Sequence, residues 1–186
     1  MKKFLNEFAH NPQNCLVKLV EEKKISYAFY GYALGIISLY FSIKLITGNP
    51  ASIASFFFIF MFWLLLNIIF NLVLAAISNL FLEITGERSK AFGIFILLGV
   101  SQMSLTLLIP WGLIVKTTPQ ILFLTPIIFL AVLVLQVYFV LTAMAKVYKT
   151  PRTSSLLAFI GTFAFPFFFA FCLMFLLMGW FITLIV

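Results

Sequence analysis

From Asn67 to Leu108 the chain reads NIIFNLVLAAISNLFLEITGERSKAFGIFILLGVSQMSLTLL: an apolar run, a short charged turn and a second apolar run. Within the first run, Asn67, Asn71 and Ser78 fall on one helical face, about 40° wide at ~100° per residue. A hairpin of this kind needs a solvent that accepts apolar side chains all round yet gives amides a reason to face inward. That solvent is lipid.

The rest of the chain agrees. Of its 186 residues, 64% are hydrophobic and only 9% charged, whereas a soluble domain carries roughly 25% charged residues. A water-solvated globule is excluded. The length suits one domain, and no loop between apolar runs can hold a soluble catalytic module. Cys15 and Cys172 lie in a polar leader and deep in the last apolar run, so no disulfide framework is implied.

In order, residues 1–24 form a polar leader. Asn11-Pro12 predicts an N-cap followed by proline at the first helical position. The helix that follows carries Leu16, Leu19 and Val20 on one side, as an amphipathic helix lying in the bilayer interface would. Residues 25–186 then hold five predicted spans, at about 25–47, 53–82, 91–115, 121–148 and 154–186. The second, at ~1.5 Å per residue, is ~45 Å long against a hydrocarbon core of ~30 Å, so it tilts or projects. Pro110 is expected to bend or end the third span, and Pro166 to kink the fifth. Gly31 and Gly35, continued by Ser38 and Ser42, make a small-residue track on which another backbone could lie, although such steps also arise by chance in membrane helices. Tyr27, Tyr30 and Tyr32 suit one lipid–water boundary and Tyr40 the other, with Lys44 snorkelling outward.

Charge sets the predicted orientation. The leader carries five basic residues, the Gly86–Lys90 turn two and the fourth connection three, against Lys44 and Lys116 alone on the opposite side. By the positive-inside rule the N-terminus is cytoplasmic and, with five spans, the C-terminus lies outside. Lys23, Lys24, Arg88, Lys149 and Arg152 form a candidate cytoplasmic basic face. Anionic headgroups are its expected contact, a protein partner or a second copy a further one, and nucleic acid is not.

Polar residues inside the spans are amides and hydroxyls. Asn67, Asn71, Ser78, Gln102 and Gln136 form a candidate intramembrane seam, either a hydrophilic path or hydrogen bonds holding helices together at ~0.6 kcal/mol each. The second use is the expected one. No ionisable residue sits at the expected centre of any span, which argues against a proton-driven carrier. His10 is the only histidine, and no metal-ligand cluster, Gly-rich phosphate loop or nucleophile elbow occurs. Neither catalysis nor a cofactor is expected. Glu83 and Glu87 could share a face, but solvation at a helix end explains them better.

Three stretches together resemble a known family. NPQNCLVKLVEEKKISYAFYGYAL enters the first span, FLEITGERSKAFGIFILLGVSQMSLTLLIPWGLI forms the hairpin, and VLTAMAKVYKTPRTSSLLAFIGTFAFP leads into the last span. They are similar to the Yip family of Ypt/Rab-interacting five-span membrane proteins, in particular its prokaryotic branch. The resemblance implies a non-catalytic multi-pass protein that organises membranes or serves trafficking. The Asp-Leu-Tyr-Gly-Pro motif and the acidic, Pro-rich leader of eukaryotic members are missing, so Rab binding does not carry over and no functional residue is transferred. A short chain rich in Lys and Phe looks prokaryotic, which implies a plasma (inner) membrane. The expectation is therefore an all-α, five-helix membrane scaffold. The alternative is a small oligomeric carrier or channel for a neutral or lipidic solute.

Overall fold

The computed structural model describes residues 10–48, 53–86, 90–162 and 164, and among these it is helices joined by short turns, with no strand. Helix α1 is Pro12–Glu21, α2 Ile25–Thr47 and α3 Ile53–Ile84. A third apolar segment comprises α4 (Ala91–Ser101), a 3-10 stretch (Gln102–Leu107) and α5 (Leu108–Thr117). A 3-10 turn (Pro119–Leu124) leads into α6 (Thr125–Tyr148), and residues 152–162 open another helix. Four of these helices, Ile25–Thr47, Phe56–Ile84, Ala91–Thr117 and Pro119–Tyr148, are long and apolar enough to cross a membrane. Most of the fifth predicted span, with Pro166 and Cys172, lies outside the described residues.

The third segment is the centre of the bundle. Every residue from Gly93 through Leu105 is buried, whereas α3 exposes Phe58, Phe62, Leu65 and Leu72 along its length. Helix α2 lies along this segment in parallel: Gly31 meets Gly99, Gly35 meets Gln102, and Ser42 donates to the Leu108 carbonyl at 3.0 Å. The small-residue track is therefore a packing surface. A Cβ on Gly31 would sit 2.1 Å from the Gly99 carbonyl oxygen, and one on Gly99 would sit 2.8 Å from the Ala28 backbone. No side chain fits between those backbones. Tyr32, expected at the lipid boundary, is instead fully buried and donates from Oη to the Phe95 carbonyl at 3.0 Å.

The break in the third segment falls earlier than Pro110 itself. Proline has no N–H for the carbonyl four residues back, and its ring crowds that carbonyl, so the preceding residues tighten into a 3-10 stretch. Ser101, Ser104 and Thr106 support the change, each donating to the carbonyl three residues earlier at 2.7–2.8 Å. These hydroxyls serve their own helix.

Helix α1 begins as its sequence requires: Asn11 is the N-cap, accepting from the Asn14 N–H at 3.3 Å, and Pro12 takes the first helical position. Its apolar face does not rest in headgroups. Cys15, Leu16 and Leu19 are buried in the same core as Ile94, Ala143 and Met144, so α1 closes one end of the bundle. Gly93 makes room there for Val20 and for the Tyr148 hydroxyl. Leu16 has no exposed surface, and truncating a side chain so buried costs about 2–5 kcal/mol. In Cys172→Ser protein, Leu16→Ala is therefore expected to speed maleimide labelling of Cys15 about tenfold or more. Equal rates in the two proteins would mean that Leu16 does not hold α1 in place.

Candidate functional site

The basic residues gather where α1 docks. Lys23 follows α1 in a left-handed backbone conformation (φ 51°), and Lys149 ends α6 in the same way (φ 54°). Each is a conformation that costs a non-glycine residue about 1–2 kcal/mol. Lys24 pairs with Glu22, and that hydrogen bond holds the Glu22 carboxyl below its usual range. The pair's contribution is thus present above about pH 4.5 and is lost as pH falls through the lowered value. Lys146 donates to Asn14 Oδ1 at 3.3 Å, tying α6 to α1, and Tyr148 Oη donates to the Lys90 carbonyl at 3.0 Å, tying α6 to the start of α4. Lys23, Lys24, Lys90, Lys146, Lys149 and Arg152 are all exposed. Arg88 lies outside the described residues. Lys44 and Lys116 are at the opposite end, where Lys44 Nζ stands 5.7 Å from the centre of the Tyr40 ring.

The predicted amide seam divides into three parts. Asn67 and Gln102 pair reciprocally across α3 and the 3-10 stretch: Asn67 Nδ2 donates to Gln102 Oε1 at 2.7 Å, and Gln102 Nε2 donates to Asn67 Oδ1 at 3.0 Å. Asn71 Nδ2 adds a bond to Asn67 Oδ1 at 2.5 Å. Gly35 allows this, because a Cβ there would lie 3.1 Å from Gln102 Cβ and 3.2 Å from its Oε1. Ser78, although on the same face of α3, belongs elsewhere; its hydroxyl lies 2.8 Å from that of Thr162 in the helix of residues 152–162. Gln136, on α6, has no hydrogen-bond partner among the described residues.

Asn67, Asn71, Gln102 and Gln136 share the wall of a cavity of about 810 Å³ between α2, α3, the third segment and α6. Its other walls are aliphatic and aromatic, and no charged side chain lines it among the described residues. Tyr40 also lies on this wall, with its hydroxyl buried and without a hydrogen-bond partner among the described residues. Sequence reasoning assigned Tyr40 to the lipid boundary. Its spacing of four from Ile36 and three from Ile43 continues one helical face, which was the available signal. No group of three or more His, Cys, Asp or Glu that could hold a metal occurs among the described residues. Compared with family models, curated proteins and solved structures, the chain matches none.

Proposed function

We propose that this is a non-catalytic multi-pass membrane protein of the Yip-like type that organises the bilayer through its basic end. Five spans, a cytosolic N-terminus, an outer C-terminus and a prokaryotic plasma membrane complete the reading. The observation that carries it is the asymmetry of the bundle. Exposed Lys23, Lys24, Lys90, Lys146, Lys149 and Arg152 surround the docked α1, and among the described residues only Lys44 and Lys116 lie at the other end. Anionic headgroups favour such a surface by about 1 kcal/mol per basic residue near it. The site needs no chemistry beyond that attraction, and the leader and connections supply the charges without a soluble domain.

The test replaces Lys23, Lys24, Arg88, Lys149 and Arg152 together by Gln and measures docking of anionic vesicles to the protein in nanodiscs. Docking by the unaltered protein is expected to weaken as salt screens the charges. The fivefold variant is expected to lose at least about 100-fold in affinity, a conservative share of ~1 kcal/mol for each charge removed. Docking that is unchanged by the substitutions removes the reading.

A further inference from the structure

The cavity between α2, α3 and α6 raises a separate question, which stands whether or not the basic end organises membranes. Two of its amides are satisfied: Asn67 and Gln102 bond to each other, and Asn67 Oδ1 also accepts from Asn71. Three polar groups on the same wall are not. Gln136 has no partner among the described residues, Asn71 Oδ1 accepts no hydrogen bond there, and the Tyr40 hydroxyl is buried without one. An uncharged polar group facing hydrocarbon without a partner is destabilising, because lipid tails supply neither donors nor acceptors. A partner that is not part of this chain removes that penalty.

The wall defines what kind of partner this is. It is uncharged, since no charged side chain among the described residues lines the cavity to neutralise an ion in a low-dielectric site. It is mostly apolar, matching the aliphatic and aromatic walls. It enters from the side, because Leu66, Phe70, Phe129 and Leu133 on the cavity wall are also exposed toward lipid. Its size is limited: 810 Å³ falls within the ~300–1,000 Å³ typical of sites for one small ligand. We infer that the cavity binds one uncharged single-chain lipid of the monoacylglycerol type, whose hydroxyl and ester groups bond to Gln136 and Asn71 while its chain lies between α3 and α6.

Trp63 lines the cavity and reports on it. In Trp111→Phe, Trp180→Phe protein held in nanodiscs, a dibrominated monoacylglycerol is expected to quench Trp63 saturably, at one lipid per protein. Unlabelled 1-monooleoylglycerol reverses the quenching, while hexadecane, which lacks the head, and oleate, which is charged, compete at least tenfold less well. Gln136→Leu is expected to abolish the preference for monooleoylglycerol over hexadecane while leaving the unfolding midpoint unchanged, since Gln136 holds no helix. Quenching that rises linearly with bromolipid content is bulk solvation and overturns the proposal. So does equal competition by hexadecane or oleate, or a Gln136→Leu protein that keeps the preference. The competing occupant is the chain's own residues 165–186; if they fill the space, no saturable binding occurs and the proposal falls.

Discussion

Gly31→Ala is expected to lower the stability of the bundle by about 3 kcal/mol or more, at or beyond the upper end for overpacking. The reason is that the added methyl would meet backbone. At 2.1 Å from the Gly99 carbonyl oxygen and 2.9 Å from the Val100 Cα, it cannot be relieved by a side-chain rotation. Helices α2 and α4 must separate, and with them go the Tyr32 bond to Phe95 and the Ser42 bond to Leu108. Gly112→Ala is the control. Its methyl would approach Ser42 and Leu45 only to 3.2–3.3 Å, so a shift of a few tenths of an ångström accommodates it, and a cost below about 1 kcal/mol is expected. Denaturant titration in mixed micelles measures both. Equal midpoints for the two variants would mean that the crossing of α2 over the third segment is not a close backbone contact.

The second large effect is expected from Asn67→Leu, which keeps the shape of the side chain and removes its amide. An interhelical hydrogen bond in a membrane protein is worth only ~0.6 kcal/mol on average. The loss here is larger, because Gln102 and Asn71, both almost wholly buried, keep their polar groups after their partner is gone. Leaving a buried amide unpaired costs about 1–3 kcal/mol, and about 2–3 kcal/mol is the expected total. Gln102→Met should cost a similar amount alone. Combining the two is expected to recover about 1–2 kcal/mol of the summed losses, since replacing both partners by apolar groups of like shape approaches neutrality. If the two losses simply add, the reciprocal pair is not what holds α3 to the third segment.

Much of this architecture is legible along the chain. The solvent follows from apolar runs too long and too uniform for water. Helix α2 spans Ile25–Thr47, the residues expected of it, because Lys24 and Gly48 bound the run and glycine adopts the left-handed cap at φ 68°. The Asn11-Pro12 start of α1 and the Gly31–Ser42 track are likewise local patterns whose physical meaning does not depend on what lies nearby. The pairing of Asn67 with Gln102 was within reach as well: an amide in hydrocarbon must find another polar group, and few were available.

What tertiary structure alone decided is which helix lies in the middle and what each polar residue meets. In water, a buried face betrays itself as an apolar stripe. In lipid it does not, because an apolar side chain gains nothing by leaving one hydrocarbon surface for another. Helices α3 and α4 are comparably apolar in sequence, yet Gly93 through Leu105 is enclosed while most of α3 faces outward. That choice rests on glycine contacts such as Gly31 on Gly99, which depend on how two distant segments cross. The same crossing leaves the cavity beside Gln136, buries Tyr32, sends Ser78 to Thr162 and seats the apolar face of α1 on protein instead of headgroups. Sequence supplied the side chains for each of these contacts, and the packing of backbones against one another chose among them.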